Sequence, residues 1–211
     1  MKSRKNELAD LIGNSHVLFS CEGLAESVIV TKLVEQDLTF LDTGNIITDP
    51  LTDAYYTLER KGSSIAQQYL NQDYGSDVFV LCVQDQVEHK LSLGPARRNG
   101  SSKDPRTQPT HQSIALNLTT HPEIEMLVIC REGAADQYEH WKQSQRGKKQ
   151  NKLKPSLFCK EELGMGDVKR PKFLNDYWGN GDNLVQALRE YQRITSAKKQ
   201  RTDFMLADLL K

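Results

Sequence analysis

The sequence of residues 16–34, HVLFSCEGLAESVIVTKLV, carries the strongest indication of the fold. The apolar run His16–Cys21 ends at Glu22 and Gly23, which predicts a buried strand followed by a tight turn that glycine permits. Apolar residues at helical spacing then predict a helix over residues 24–34. A strand, a turn and a helix form the first part of a βα unit.

Further strands and helices alternate along the chain. The clearest strand is VFVLCV at residues 78–83, an unbroken apolar run that predicts a sheet covered on both faces. Other strands are predicted at residues 38–47 and 113–117, and helices at 58–70, 134–143, 182–196 and 203–210, with a further helix that starts at Thr120 and extends through Cys130. This alternation predicts an α/β fold with a mainly parallel sheet flanked by helices. We expect an α/β domain over residues 1–135, and a basic loop and C-terminal helical extension over residues 136–211 packed on the same domain.

The composition is that of one globular domain. The chain has 211 residues, of which 37% are hydrophobic and 27% are charged. No apolar run approaches the roughly 18 residues that span a membrane. The first residues lack the apolar stretch of a secretory signal, so a cytoplasmic location is expected. Four widely separated cysteines, three of them in or beside apolar segments, predict reduced thiols.

Charge is distributed unevenly along the chain. Residues 1–95 carry a net charge of −7 and residues 96–211 a net charge of +7. Residues 141–160 contain seven basic residues and no acidic one, which predicts an exposed basic loop. Its candidate phosphate contacts are Lys142, Arg146, Lys148, Lys149, Lys152 and Lys154, which would make nucleic-acid binding sensitive to salt. A solvated basic loop without a partner is the alternative.

Acidic residues follow the predicted strands. Glu22 follows the first strand, Asp85 follows the central strand, and Glu123 and Glu125 begin a later helix. The carboxyl ends of parallel strands form the ligand crevice of open α/β sheets. Carboxylates that converge there repel one another unless a cation joins them. Mg²⁺ (or Mn²⁺) is the predicted cofactor, and its chemistry favours phosphoryl transfer or phosphodiester cleavage.

Two short segments resemble a known family. Residues 19–26, FSCEGLAE, resemble the strand and Glu-Gly turn of Toprim domains, and Glu22, Gly23 and Glu26 match that order. Among Toprim proteins, the segment resembles especially the overcome-lysogenisation-defect and RloB-like nucleases of bacterial phage defence. Residues 114–129, IALNLTTHPEIEMLVI, resemble the RloB-like branch, in which Glu125 is the acidic member.

The resemblance implies a Toprim-like (Rossmann-like) metal-dependent nuclease that acts on DNA or RNA. It implies that Glu22 is a general acid/base or metal ligand and that Asp85 is a metal ligand, with Glu125 as the third catalytic residue. The implied metal-ligand set is Glu22, Glu26, Asp85, Glu88 and Glu125.

The central strand departs from the family pattern. Toprim domains have Asp-x-Asp there, whereas Val83 and Val87 stand two residues on either side of Asp85. Three interpretations remain open: Glu88 substitutes, the site holds one metal weakly, or catalysis is lost and the fold kept. Glu123 is better explained as the second half of a capping box with Thr120.

Other functions are less well supported by the sequence. There is no GxSxG elbow, Walker motif or HExxH motif. One alternative is a non-catalytic Toprim-like module that binds nucleic acid or a partner ATPase; another is a nucleotide- or metabolite-binding protein. The apolar residues around Tyr177, Trp178, Leu184, Leu188 and Tyr191 predict either a satellite core beneath the last helix or a docking surface for a partner subunit, as in a homo-oligomer.

Overall fold

The chain folds around one parallel β-sheet. The structure is a computed structural model that describes residues 3–84, 91–93, 111–120, 124–145, 153–198 and 204–211, with only the backbone of residues 197 and 198. Its strands are β1 (His16–Cys21), β2 (Tyr56–Thr57), β3 (Val78–Gln84), β4 (Ser113–Thr119) and β5 (Phe204–Met205). They lie in the order β2-β1-β3-β4-β5, and every pairing within these ranges is parallel. The predicted α/β fold with a parallel sheet is confirmed.

Eight α-helices flank the sheet in the described part of the chain. They are α1 (Arg4–Ile12), α2 (Leu24–Glu35), α3 (Gly62–Gln68), α4 (Glu125–Arg131), α5 (Ala135–Ser144), α6 (Pro155–Glu161), α7 (Pro171–Tyr177) and α8 (Gly181–Lys198). Two short 3-10 helices cover Thr43–Asn45 and Leu206–Leu209. None of the described helices combines the length and the apolar composition needed to cross a membrane.

The sheet is covered on both faces, as the apolar run in β3 predicts. Val17, Phe19 and Cys21 of β1 pack in the larger core with α1, α2 and α4–α8. Leu18 points to the opposite face, where it packs with Ile65 of α3. This alternation follows from the two-residue period of a strand. It places most of the helices on one face and α3 on the other.

The strand predicted within residues 38–47 is wrong. Only isolated bridges form there, between Thr39 and Leu210 and between Ile46 and Val17. The Asp42 side chain accepts a hydrogen bond of 2.9 Å from the backbone N–H of Gly44, which starts a 3-10 turn and interrupts the extended chain. The neighbour of β1 is instead β2, ten residues further on.

The basic loop predicted at residues 141–160 is only partly correct. Helix α5 continues to Ser144 and α6 begins at Pro155. Trp141 is buried, and its ring centroid lies 5.6 Å from that of Phe158 in α6. Aromatic side chains bury large apolar areas, which explains why helices form at both ends of this basic stretch. Residues 146–152 lie outside the described residues.

The C-terminal residues add a strand rather than the predicted helix at 203–210. Strand β5 pairs with β4, and the 3-10 helix Leu206–Leu209 follows it. The buried Asp208 carboxylate accepts hydrogen bonds from Met205 N (2.8 Å) and Gln192 Nε2 (2.7 Å), which fixes this turn against α8. The residues predicted to form a satellite core beneath the last helix are buried, but they belong to the larger core: Trp178 at the end of α7, and Leu184, Leu188 and Tyr191 of α8.

Candidate active site at the carboxyl edge of the sheet

A chain of polar contacts crosses the carboxyl edge of the sheet. Arg60 Nη1 lies 3.2 Å from Glu22 Oε1, and Arg60 Nη2 lies 3.4 Å from Gln84 Oε1. Gln84 Nε2 in turn donates to Asn117 Oδ1 over 3.0 Å. We call Glu22, Arg60, Gln84 and Asn117 the rim cluster. Glu22 follows β1 and Gln84 ends β3. Asn117 lies two residues before the end of β4, and Arg60 lies in the turn after β2.

Backbone geometry brings Glu22 to this edge. The Glu22 N–H donates to Val83 O over 2.9 Å, so the pairing of β1 with β3 continues one residue beyond Cys21. Gly23 is extended, with φ −154°, so a left-handed conformation is not the reason for a glycine here. A Cβ at Gly23 would lie 3.0 Å from Glu26 Oε2, and the glycine therefore makes room for the Glu26 carboxylate.

Arg60 is held by the turn that follows β2. Glu59 Oε1 accepts hydrogen bonds from the backbone N–H groups of Arg60 (2.9 Å) and Lys61 (2.7 Å). The Ser20 hydroxyl of β1 donates to Glu59 O over 2.8 Å. These contacts fasten the turn to the sheet and direct the Arg60 side chain along its edge.

The rim cluster has a buried amide end and an exposed charged end. Gln84 is 4% exposed, whereas the side chains of Glu22 and Arg60 are 36% and 45% exposed. The two charged groups can therefore exchange partners with solvent or a ligand. The Gln84 side chain is held in place between Arg60 and Asn117.

Glu26 lies on the helical side of the same edge. It is 6% exposed in the first turn of α2. Burial first, and then the negative charge of Glu26, raise the pKa of the Cys21 thiol above its usual range. Cys21 lies on the face of the sheet that α2 covers, so Glu26 lies near this face.

Glu125 is fully buried at the start of α4. Lys169 Nζ, from the turn before α7, lies 2.9 Å from Glu125 Oε1. Burial first, and then the charge of Glu125, raise the pKa of the Cys159 thiol in α6 to about 12. Glu125 thus lies among α4, α6 and the turn before α7, with a lysine ammonium beside it.

None of the four cysteines is suited to nucleophilic chemistry. All four are buried and none forms a disulfide, as predicted. Burial raises the pKa of Cys82 to about 11 and that of Cys130 to about 12. A thiolate is the reactive form, so burial disfavours nucleophilic chemistry at these thiols.

The structure places the predicted site residues in different settings. Glu22 belongs to the rim cluster, whereas Glu26 and Glu125 are buried on the helical side. Asp85, Glu88 and Glu123 lie outside the described residues, although Asp85 directly follows Gln84 in the sequence. Within the described ranges, no three His, Cys, Asp or Glu side chains are grouped so that they could hold a metal ion.

Of the six basic residues predicted to contact phosphates, two lie in the described part of the chain and four do not. Lys142 Nζ lies 2.9 Å from Glu139 Oε2 on α5, and Lys154 precedes α6. Arg146, Lys148, Lys149 and Lys152 lie outside the described residues. The structure therefore leaves the predicted nucleic-acid surface as a prediction.

The donor chemistry of the rim cluster fits magnesium in one of its usual binding modes. Glu22 offers a carboxylate, which is a hard ligand, whereas the amide oxygen of Gln84 accepts a hydrogen bond from Arg60. Mg²⁺ commonly binds through one or two carboxylates, several waters and substrate oxygens.

Sequence reasoning missed Arg60, Gln84 and Asn117. Gln84 and Asn117 could have been found as amide residues inside otherwise apolar strands. Arg60 gave no such indication, because its position depends on β2, which the sequence pattern misplaced.

Comparisons with known proteins add no relative. No family model, curated protein or solved structure matches this chain. The likeness to Toprim domains therefore depends on the short motifs at residues 19–26 and 114–129 and stays a prediction.

Proposed function

We propose that this protein is a Toprim-type, metal-dependent nuclease that cleaves phosphodiester bonds of DNA or RNA at the carboxyl edge of its sheet. The observation that supports it is the contact of Glu22 with Arg60 beside Gln84, where the ends of β1 and β3 meet. A carboxylate for a cation and a guanidinium for a phosphate lie side by side. Phosphodiester hydrolysis needs both kinds of group.

Each residue of the site has a proposed role. Glu22 and Asp85 would hold Mg²⁺ or Mn²⁺, and Glu88 would replace the missing second aspartate of the Toprim pattern. When bound, the cation would polarise the phosphoryl group and lower the pKa of an attacking water. Gln84 would hold the Arg60 side chain in position through its contacts with Arg60 and Asn117. Glu22 is also placed, by its exposure, to accept a proton from that water.

Glu125 has a different proposed role. Its carboxylate is fully buried and lies beside Lys169. We therefore assign it to the packing of α4 against the turn before α7, rather than to contact with substrate. Glu26, which is also buried, would support the Glu22-Gly23 turn from the helical side.

The setting of the proposed activity follows from the family resemblance. The basic residues 142–154 would bind the phosphate backbone of the nucleic acid, and a partner ATPase would control access to it. A cytoplasmic role in phage defence is part of the same proposal.

A non-catalytic nucleic-acid-binding module is the second candidate. The specific observation in its favour is that each of two predicted catalytic carboxylates lies beside a cation of the chain, Glu22 beside Arg60 and Glu125 beside Lys169. A protein without catalysis could keep both ion pairs as structural contacts. Such a protein would bind nucleic acid without cleaving it.

One assay separates the two candidates. Purified protein is incubated with DNA, total RNA and tRNA in Mg²⁺, Mn²⁺ or EDTA, beside the variants Glu22→Gln and Asp85→Asn. The matched control is Glu35→Gln, an exposed glutamate at the other end of α2. The nuclease predicts cation-dependent cleavage that is abolished in both site variants and kept in the control. Salt-sensitive binding without cleavage, unchanged in both variants, would favour the second candidate.

A further inference from the structure

Arg60 is the group that links the two halves of the rim cluster. Its Nη1 contacts the exposed carboxylate of Glu22, and its Nη2 contacts the buried amide of Gln84. We infer that Arg60 binds the substrate phosphate and that this makes binding of cation and phosphate mutually dependent. The inference rests on the proposed cation site at Glu22.

The ion pair between Glu22 and Arg60 is the reason for the coupling. A divalent cation on Glu22 would replace the guanidinium and leave Arg60 able to bind an anion. A phosphate on Arg60 would equally leave Glu22 able to bind a cation. Each ligand therefore removes a competitor of the other, and thermodynamic linkage makes the effect equal in both directions.

Gln84 keeps Arg60 at the edge during this exchange. Its side chain is 4% exposed, and its Nε2 is held by Asn117 Oδ1 at 3.0 Å. The 3.4 Å contact with Arg60 does not involve Glu22, so it can persist when the ion pair opens. Arg60 would then reorient while its contact with Gln84 is kept, and it would stay at the site.

The chemistry of the guanidinium defines the ligand class. Its planar fork of N–H donors matches two oxygens of one phosphate group, whereas a lysine would supply only a point charge. The expected ligand is therefore a phosphate or phosphodiester anion that binds together with a divalent cation. Neither ligand alone would bind as tightly.

Calorimetric titration with MgCl₂, with and without inorganic phosphate, tests the coupling. For the unaltered chain, phosphate should raise the affinity for Mg²⁺ about fivefold or more, the lower end of usual coupling strengths. In Arg60→Gln, Mg²⁺ should bind at least as tightly without phosphate, and phosphate should have no effect. Arg60→Lys should keep part of the effect. The matched control is Arg170→Gln, which removes another exposed arginine paired with an acidic residue at 3.0 Å.

The outcomes separate this inference from the proposed function. If Glu22→Gln weakens Mg²⁺ binding but phosphate acts equally on Arg60→Gln and the unaltered chain, the coupling is wrong and the cation site stands. If Mg²⁺ binds equally to Glu22→Gln and the unaltered chain, or to neither, both are overturned. If the coupling is measured but no nucleic acid is cleaved, the inference stands and the nuclease proposal fails. Circular dichroism of each variant confirms that it is folded.

Discussion

Lys169 Nζ lies 2.9 Å from Oε1 of Glu125, and the two side chains differ completely in their exposure. The glutamate is 0% exposed, whereas the lysine is 53% exposed. Water can therefore solvate the ammonium if its partner is removed, but it cannot reach the carboxylate. The two halves of this ion pair are not equivalent.

Removing the lysine should destabilise the protein more than neutralising the glutamate. Lys169→Met leaves a buried carboxylate without this cation, and breaking a buried pair in that way costs about 3–5 kcal/mol. Glu125→Gln leaves an ammonium that water can solvate and should cost less. Urea unfolding measures both, with the exposed Lys172→Met as control. Equal decreases in stability for the two variants would contradict this account.

Gly62 should not tolerate a side chain. A Cβ there would lie 1.9 Å from the backbone oxygen of Ser92, a contact that only movement of the backbone can relieve. Gly62→Ala should lower the free energy of unfolding by about 1–3 kcal/mol or more, as overpacking does. Gly166→Ala is the control, because nothing lies within 4 Å of its Cβ position. A melting temperature that changes equally in both variants would be inconsistent with the clash.

The contact between Tyr69 and Asp49 should make stability depend on pH in the acid range. The phenol donates to Asp49 Oδ2 over 2.5 Å, and this hydrogen bond is the main reason that the pKa of Asp49 is below its ordinary 3.8. A lowered folded-state pKa contributes stability that is present above pH 3.8 and disappears as the pH falls through the lowered value.

The test of this contact is Tyr69→Phe. The variant should be less stable than the unaltered chain at pH 6, by about 1 kcal/mol, the net contribution of a typical hydrogen bond. The difference should shrink as the pH falls below 3.8. Chemical unfolding at several pH values measures it, and a difference that stays constant down to pH 2 would rule out the contribution of Asp49.

The amide contact in the rim cluster should matter for stability as well as for the site. Asn117→Leu removes Asn117 Oδ1, the atom that accepts a hydrogen bond from Gln84 Nε2. Gln84 is only 4% exposed, so its amide donor would lose this partner in a buried position. An unsatisfied buried polar group costs about 1–3 kcal/mol. The same variant should weaken the effect of phosphate on Mg²⁺ binding, since Gln84 positions Arg60. Unchanged coupling in a destabilised variant would limit Asn117 to a packing role.

The basic residues after α5 should determine the salt dependence of nucleic-acid binding. Replacing Lys148, Lys149 and Lys152 by glutamine should make the slope of log affinity against log salt concentration less steep. The slope should change by about 0.7–0.9 for each phosphate that the chain no longer neutralises. Binding to a fluorescent oligonucleotide at several salt concentrations measures the slope. Lys32→Gln, on α2, is the control. An unchanged slope would assign these lysines to a solvated surface.

Sequence patterns predicted the elements that have several consecutive or regularly spaced apolar residues. β1 and β3 are predominantly apolar runs, α2 and α8 have apolar residues at helical spacing, and all four lie where predicted. The two-residue strands β2 and β5 are too short for a period to be visible. They exist because neighbouring strands offer hydrogen-bonding partners, which is a property of the whole fold.

Of the four residues of the rim cluster, only Glu22 was identified from the sequence. Glu22 stands at a strand end, and that position alone indicated it. Arg60 and Asn117 reach the same edge from distant parts of the chain through the order of strands in the sheet. The burial of Glu125 depends on helices that follow it in sequence, so no local pattern could distinguish it from an exposed glutamate.

The position of β5 near the end of the chain has a consequence for biosynthesis. β5 pairs with β4, yet residues 120–203 separate the two. During translation, β4 leaves the ribosome with one edge uncovered. That edge stays uncovered until residues 120–203 and then β5 have been synthesised. Pairings between distant segments form slowly, and uncovered strand edges invite association with other chains. The interval between synthesis of β4 and of β5 is therefore when this protein should depend most on chaperones.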